Sequence, residues 1–440
     1  MSYSLYVKTK PSKLFLKAAI PGGISMLVSS IYMIFDSVFV GKFIGTTAFA
    51  ALGLAFPFII VNFALADLIG VGSAVPISIF LGRKEEDKAN NFFTCASILI
   101  VLTGLLMGLF FYLSAPFLMR FMGADGDLLD LGVRYLRVYA VFSPVTTMCF
   151  AVDNFLRISG KIKTSMILNI LMSVATVFLE LILIKVFDLG ITGAALGANI
   201  SFSAMVFCGL YLFMGGNLQL KFTKPHFYKE LIWQIAKNGT PAFLTNVAGR
   251  VFSIIMNMVL LKKGGASAVA IYGILMTVAA VVEQILYGVL DSMQPALGYN
   301  YGAKEKDRVI IIEKYCLMAG AFVSIGASLV IWAIPKYVAI PFLEDLSLID
   351  MSVHALKLFA FAFIFKWFGQ SVQSFFMALE KPVPAMLISV ASVFIFPIII
   401  ILALYPMELD GLWLNYAITS FLTALLSGGI LIRKRNKLFD

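Results

Sequence analysis

The chain has 440 residues, of which 60% are hydrophobic and 13% are charged, and its mean hydropathy is +0.95. Because a soluble domain carries about 25% charged residues, this composition excludes a soluble globular protein. The formal net charge is +10. The basic residues lie mainly in short stretches between apolar runs, so this charge does not indicate binding to nucleic acid.

Apolar runs of about twenty residues recur along the whole chain, and each is long enough to cross roughly 30 Å of hydrocarbon as a helix. We predict twelve transmembrane spans. In chain order they cover 14–41, 47–81, 91–119, 131–157, 164–187, 191–214, 231–261, 266–301, 309–335, 352–379, 382–405 and 411–432. The predicted domains are an N-terminal six-helix lobe at 1–214, a polar cytoplasmic linker at 215–230 and a C-terminal six-helix lobe at 231–440.

The two halves of the chain repeat each other at an offset of 220 residues, half of its length. Residues 42–53, KFIGTTAFAALG, recur as residues 262–273, KKGGASAVAIYG, and Pro21 falls on Pro241. Duplication in a membrane protein is typical of transporters whose site lies between the copies. Since each half has an even number of spans, we expect two parallel-repeat bundles with a central cleft. A proline inside a helix favours a kink, so Pro21 is the predicted hinge.

The distribution of basic residues predicts the orientation of the chain. When the termini, the linker and the even-to-odd connections are assigned to one side, most of the 34 Lys and Arg residues fall on that side. The positive-inside rule then places both termini in the cytoplasm.

Acids inside the spans are the main candidates for function, because a charge in hydrocarbon costs about 2.5–3.5 kcal/mol on insertion scales. Asp153 lies four residues before Arg157, a spacing that predicts a local structural ion pair. For the others, functional and structural roles both stay open at this stage. The acids assigned to the membrane interior are Asp36, Asp67, Asp153, Glu180, Glu283 and Asp291, whereas Glu313, near the beginning of the span 309–335, is counted with the cytoplasmic side.

Asp67 lies near the middle of its span. It could pair with one of two basic residues that also lie within spans, Arg250 and Lys366. A structural ion pair and a functional carboxylate are equally good interpretations of this residue.

Asp36 and Glu180 are predicted to lie at similar depth in the same lobe, whereas their counterparts in the repeat, Met256 and Ile400, are not acidic. A duplicated scaffold that keeps acids in one copy only favours a functional role, although two unrelated structural carboxylates are the alternative. Such a pair would suit binding of H⁺ or Na⁺, without a structural metal. The expected polar neighbours are Tyr32, Asn154 and Thr176.

The sequence offers no recognisable catalytic machinery. No Ser/His/Asp set, HExxH, CxxC or Walker motif is present, which argues against an enzyme and against ATP hydrolysis. The four cysteines suggest neither a disulfide framework nor a metal site. We therefore expect no cofactor other than a coupling ion.

Five stretches together carry a family resemblance. The sequence resembles the multidrug and toxic compound extrusion (MATE) transporters, most closely their bacterial MepA-like branch, and the likeness covers the whole chain. The stretches are IYMIFDSVFVGKFIGTTAFAALGLAFP at 31–57, DNFLRISGKIKTSM at 153–166, the Glu180 region with GITGAALGANIS at 190–201, SMQPALGYNYGAKEKDRV at 292–309 and SFFMALEKPVPAM at 374–386.

The resemblance implies a V-shaped pair of six-helix bundles that exports organic cations against an inward flow of H⁺ or Na⁺. The family's first-helix carboxylate corresponds to Asp36, and its fifth-helix acidic position, often Asp in relatives, corresponds to Glu180. Some relatives place coupling acids in the C-terminal lobe, where Glu283 and Asp291 are the nearest candidates. The candidates for the substrate cleft are Tyr32, Asp67, Glu283, Gln284 and Asp291.

We therefore expect a secondary active antiporter that works by alternating access in a bacterial cytoplasmic membrane. Its expected partners are hydrophobic organic cations and membrane lipid, with no nucleic acid, and the chain is expected to be a monomer. The alternative is a flippase for a lipid-linked polyisoprenoid or oligosaccharide substrate. The cleft of such a protein should be strongly cationic, whereas Arg250 and Lys366 are the only basic residues that we assign to the membrane interior, against six acids.

Overall fold

All regular structure in the described residues is helical, as the predicted fold class requires. Short π-helical turns lie at Ser4–Lys8 and Val40–Ile44, on either side of the first long helix. The computed structural model describes residues 2–216, 218–342, 348–434 and 438, without the side chains of 33–38, 40 and 41.

The described residues of the first half contain seven α-helices. Two of them, α4 and α5, follow each other directly and together form the fourth predicted span. The helices are α1 (Pro11–Phe39), α2 (Thr46–Gly82), α3 (Glu86–Phe121), α4 (Gly126–Thr146), α5 (Met148–Ile158), α6 (Ile162–Lys185) and α7 (Gly190–Met214).

Eight α-helices lie in the second half of the chain as far as the structure describes it. The first of them runs through two predicted spans and is broken by non-helical backbone at Gly265 (φ 64°, ψ −161°). The helices are α8 (Lys229–Asp291), α9 (Gln294–Gly302), α10 (Lys306–Ala333), α11 (Pro335–Ala339), α12 (Ile349–Ala378), α13 (Pro382–Val390), α14 (Phe396–Leu404) and α15 (Glu408–Lys434).

Ten helical stretches among the described residues are long and apolar enough to cross a membrane. Two of them, Lys229–Gly302 with 74 residues and Pro382–Lys434 with 53 residues, far exceed the roughly twenty residues that one crossing needs. Each contains a residue with positive φ, Gly265 in the first and Glu408 in the second, so each accommodates two predicted spans. The chain is a multi-pass membrane protein.

The backbone turns repeat at the same offset as the sequence. A positive φ is rare for residues other than glycine, so its recurrence at matched positions indicates a shared backbone. The duplication therefore extends to the last spans of each half, where few identical residues remain. The matched pairs are Gly45 and Gly265, Lys84 and Lys304, Gly160 and Glu380, and Asp188 and Glu408.

Contacts divide the chain into two compact units, and two helices contribute to both. Unit 1 comprises Met1–Thr9 and Ile24–Phe243, and unit 2 comprises Lys10–Gly23 and Leu244–Asp440. Helix α1 therefore begins in unit 2 and ends in unit 1, whereas α8 does the reverse. The two changes of unit lie at equivalent positions of the repeat. The predicted lobes follow the duplication rather than these contacts, and they stay a prediction.

Close contacts at glycines hold the first part of α1 in unit 2 and the first part of α8 in unit 1. In unit 2, a Cβ added to Gly22 would lie 1.8 Å from Ser292 Oγ and 2.1 Å from the carbonyl oxygen of Gly288. In unit 1, a Cβ added to Gly239 would lie 1.8 Å from the carbonyl oxygen of Leu68. Backbone thus packs on backbone at both crossings, which only small residues allow.

The hinge candidate Pro21 lies inside α1, immediately before the close contact at Gly22. Pro241 lies at the matching place in α8. A proline removes one helical hydrogen bond and crowds the preceding turn, so a helix bends more readily there. The hinge role of Pro21 stays a prediction.

Residues 219–226 of the predicted linker, 215–230, pack along the first turns of α3 in unit 1. The backbone N–H groups of Lys221 and His226 donate to the side-chain oxygens of Asn90 and Asn91, each at 2.8 Å. These bonds satisfy backbone groups that would otherwise need water, so the linker is an ordered part of unit 1.

Asp153 and Arg157 form the predicted structural ion pair on α5. Arg157 Nη2 lies 2.6 Å from Asp153 Oδ2, and both side chains are buried. Asn169 Nδ2 donates to the other carboxylate oxygen at 2.6 Å, and the hydroxyl of Ser165 donates to the same oxygen. This carboxylate is compensated and fully engaged, so we assign it to stability.

We predict that Arg157→Met lowers the free energy of unfolding by about 3–5 kcal/mol, because it leaves Asp153 charged and buried without its partner. The exposed pair Arg134–Asp130, at 2.7 Å, provides the control. Arg134→Met should cost less than about 1 kcal/mol. Chemical unfolding of the purified variants in detergent measures both values. Equal unfolding midpoints for Arg157→Met and Arg134→Met would contradict a structural role for Arg157.

Candidate functional site

Helix α6 presents Thr176 and Glu180 on one face, because residues four apart on a helix lie above one another. Thr176 is fully buried, and its hydroxyl donates to the carbonyl oxygen of Met172 at 2.9 Å. The Glu180 side chain is 1% exposed. The structure therefore brings together two of the predicted coupling residues in the interior of unit 1.

Helix α7 packs closely against α6 at Glu180. A Cβ added to Gly197 on α7 would lie 2.7 Å from Glu180 Cγ and 2.8 Å from its backbone nitrogen. The absence of a side chain at Gly197 thus makes room for the carboxyl-bearing chain. Sequence reasoning did not single out this glycine, although the run of small residues at 190–198 is a signal for close helix packing.

The repeat provides an internal comparison for this site. In unit 2, the place of Glu180 on α14 is taken by Ile400, which is 4% exposed, and the place of Gly197 on α15 is taken by the buried Ala417. The same scaffold therefore packs with an apolar side chain there. Since the fold does not need an acid at this position, Glu180 is a strong candidate for a functional group.

The other predicted residues of this site lie in the same unit. Asn154 on α5, Tyr32 on α1 and Asp67 on α2 are each half-buried. Asp36 belongs to α1, but its side chain lies outside the described residues, so its approach to Glu180 stays a prediction.

A neutral polar network that the sequence did not reveal lies in unit 1. Asn62 Nδ2 on α2 donates to the hydroxyl of Tyr139 at 2.9 Å and to Ser143 Oγ at 2.6 Å, both on α4. Ser143 in turn donates to the carbonyl oxygen of Gly104 on α3 at 3.0 Å. The network ties three helices together, and because it contains no charge, a search for buried acids passes over it.

In unit 2, Glu283 on α8 is paired. Lys366 Nζ on α12 lies 2.9 Å from Glu283 Oε1, and the hydroxyl of Tyr416 on α15 donates to the same oxygen. Lys366 was one of two suggested partners for Asp67, and its ion pair is with Glu283. Gln284, the neighbouring cleft candidate, is half-buried.

Asp291, at the end of α8, lies among neutral donors. Gln294 Nε2 donates to Asp291 Oδ1 at 2.9 Å, and Ser374 Oγ on α12 donates to the same oxygen at 3.1 Å. Gln294 also bonds to Ser374 at 3.0 Å, which closes a three-membered network. The part of the chain that the structure describes contains no group of three or more His, Cys, Asp or Glu side chains arranged to hold a metal ion.

Glu313 is a buried acid that sequence reasoning counted with the cytoplasmic residues, because it lies near the beginning of its span. It is buried on α10, and its Oε1 has no hydrogen-bond partner among the described residues. The burial depends on neighbouring helices, so the sequence alone carries no signal for it.

Two segments of the chain match the MatE family, residues 21–182 and residues 241–402. The second segment begins and ends 220 residues after the first, which is the offset of the repeat. Each half is therefore one copy of the same family unit, and together the segments cover more than half of the chain.

Curated relatives and solved structures agree with this match. The multidrug export protein MepA of Staphylococcus aureus is 29% identical over 361 residues, which cover 80% of this chain and 78% of MepA. MepA of Staphylococcus saprophyticus is 28% identical over 360 residues, with the same shares of 80% and 78%.

Among solved structures, a multidrug resistance MATE family transporter in an outward-facing conformation has a TM-score of 0.93 at 20% identity, covering 99% of this chain and 97% of its own. A MOP superfamily transporter from Pyrococcus furiosus has a TM-score of 0.94 at 21% identity, covering 100% and 99%. At these identities the likeness shows a shared fold.

We predict that Gly197→Ala lowers the free energy of unfolding by about 1–3 kcal/mol, because the added methyl group must displace α6 at Glu180. Gly53→Ala on α2 is the control, since a Cβ there meets nothing within 4 Å. That variant should change stability by less than about 1 kcal/mol. Thermal unfolding in detergent compares the two, and an unchanged midpoint for Gly197→Ala would contradict the close contact.

Proposed function

The chain belongs to the MatE family, and from this premise we propose that it exports hydrophobic organic cations by antiport with H⁺ or Na⁺. The multidrug export activity named for its MepA relatives supports the substrate class. The ion gradient supplies the energy, so the transporter needs no bound cofactor. We further propose a monomer in a bacterial cytoplasmic membrane with both termini inside, in keeping with the basic connections between spans.

The observation that carries this proposal is the buried Glu180 at a place where the other copy has Ile400. An ionised carboxyl group is costly in such surroundings unless a cation or a proton neutralises it. Binding of H⁺ or Na⁺ removes the charge. The stability of a conformation that buries Glu180 therefore depends on whether the coupling ion is bound. Burial of Ile400 does not depend on the ion.

A coupling ion can drive a conformational change only if it binds the two conformations with different affinity. We propose that Asp36 and Glu180 bind the ion, with Thr176 and Asn154 as neutral neighbours. Neutralisation then allows α1 to bend near Pro21, and the bend changes the access of the substrate. Carboxylate, hydroxyl and amide oxygens are ligands for Na⁺ as well as acceptors for H⁺, so either ion fits these residue types.

We predict that Asp36→Asn and Glu180→Gln each abolish gradient-driven efflux while expression and membrane insertion stay normal. Each substitution keeps the size of the side chain and removes the charge that responds to the ion. Glu180→Asp should retain part of the activity. The measurement is efflux of a fluorescent organic cation from proteoliposomes, with a pH gradient and a Na⁺ gradient imposed in separate experiments.

The control for these variants is Glu230→Gln, which removes an exposed acid in the first turn of α8. It should transport at the wild-type rate. Normal efflux by Asp36→Asn would overturn the proposed coupling site and direct the search to Glu283 and Asp291.

The composition supports a broad range of substrates. The chain contains 40 Phe, 16 Tyr and 20 Met residues. Aromatic faces attract organic cations by about 0.5–2 kcal/mol each, and methionine side chains adapt to different shapes. A cleft wall built from such side chains binds flat, hydrophobic monocations without requiring one hydrogen-bonding pattern.

We therefore predict that several chemically unrelated monocations, among them ethidium and tetraphenylphosphonium, compete with one another for transport. The measurement is inhibition of fluorescent-cation efflux by each compound in the proteoliposome assay. Transport of a single anionic lipid intermediate, with no response to these cations, would show that the protein is a flippase and not an exporter.

A further inference from the structure

Two side chains of unit 2, those of Glu283 and Tyr416, lie next to the ammonium group of Lys366. Lys366 Nζ lies 2.9 Å from Glu283 Oε1 and 4.8 Å from the centre of the Tyr416 ring. The Tyr416 hydroxyl donates to the same carboxylate oxygen. We call the Glu283 carboxylate and the Tyr416 ring the cation seat. The ammonium group of Lys366 occupies this seat with a carboxylate on one side and an aromatic face on the other.

The aromatic side of the cation seat is fixed by neighbouring rings. The Tyr416 ring stacks on Phe359, with centroids 4.6 Å apart and planes 14° from parallel. Phe363 meets Tyr416 edge-on at 6.4 Å. These contacts and the bond to Glu283 hold the ring in place, so the position of the Tyr416 ring does not depend on Lys366.

The cation seat is accessible although it lies within predicted spans. The Glu283 side chain is 26% exposed and the Lys366 side chain is 25% exposed. Charged side chains at membrane depth face the protein interior or a water-filled cavity, because contact with lipid is costly. The exposed quarter of the Glu283 side chain is therefore expected to face protein or water rather than lipid, and a dissolved cation can reach it there.

We propose that Lys366 is an internal competitor in a binding site for organic cations, and that a transported monocation occupies the cation seat by displacing the Lys366 ammonium group. This inference rests on the proposed export of organic cations. A carboxylate beside an aromatic face is the combination that recognises such ligands. The four-carbon stem of lysine is flexible, so its ammonium group can leave the seat while its backbone stays in place.

The competition has a consequence for transport. An empty carboxylate at membrane depth is costly, so a site without an internal cation would release its substrate slowly. Lys366 returns to Glu283 when the substrate leaves and thereby lowers the cost of release. The lysine thus weakens substrate binding and favours turnover.

A second arrangement of the same residue types provides a matched control. Lys263 Nζ lies 2.8 Å from Glu408 Oε1 and 4.0 Å from the centre of the Tyr405 ring. This group lies between predicted spans, and Glu408 is 68% exposed, so water already solvates the carboxylate. Removal of Lys263 should leave no cation-binding site of comparable strength.

The test is equilibrium binding of tetraphenylphosphonium to the full-length protein in lipid nanodiscs. Lys366→Met should lower Kd about three- to tenfold, because it removes the competitor and leaves the carboxylate and the ring. Lys366→Arg should not lower Kd, since it keeps a competing cation. Lys263→Met should also match the wild type, and Glu283→Gln added to Lys366→Met should reverse the gain.

Unchanged or weaker binding by folded Lys366→Met overturns the inference. Lys366→Gln, which keeps a hydrogen-bond donor towards Glu283, gives the same test if Lys366→Met does not fold. Failure of both variants to fold would assign Lys366 to stability and would overturn the inference as well. Wild-type efflux in proteoliposomes is measured in parallel. Its absence would contradict the proposed function, whereas normal efflux with unchanged binding would contradict this inference alone.

Discussion

The cost of a charge at membrane depth is the constraint on which the rest of this molecule depends. The chain meets it in different ways in its two units. Asp153 has a buried arginine and two neutral donors, which make a closed structural site. Glu283 has a lysine and a tyrosine but keeps a quarter of its surface exposed. Glu180 lies where the duplicated scaffold has an isoleucine. A closed pair favours stability, whereas a partly open or replaceable acid favours function.

The duplication makes this distinction possible, because each half serves as a control for the other. Turns at equivalent positions, such as Lys84 and Lys304, share a strained backbone that the sequence alone did not specify. Where the backbones agree and the side chains differ, the difference is not needed for folding. Glu180 therefore differs from Ile400 in the charge it can carry and not in burial, since both side chains are buried to a similar extent.

Local patterns in the sequence predicted the features that depend on neighbours along the chain. The spans, the repeat, the ion pair of Asp153 with Arg157 and the shared face of Thr176 and Glu180 all follow from helical period and hydropathy. The partner of Glu283 did not follow, because Lys366 lies on a helix far along the chain and many charge pairings fit the same hydropathy. The packing of Lys10–Gly23 with unit 2 was also not predictable, because the sequence does not show that Gly22 contacts Gly288 and Ser292 of α8 and the turn that follows it.

Helix α1 gives a physical route between the two units. It contributes Gly22 to a crossing within unit 2 and carries Asp36 in its unit 1 half. Helix α8 contributes Gly239 to a crossing within unit 1, but Glu283 lies beyond the break at Gly265, on a separate helical segment. We infer that a change in charge at Asp36 acts on a helix whose other half is packed, backbone on backbone, in unit 2. Since a helix transmits displacement along its axis and close-packed crossings do not deform gradually, occupancy at Asp36 biases the packing of unit 2. In the proposed scheme the coupling ion therefore binds in unit 1 and the organic cation in unit 2, although the duplicated backbone is alike in both.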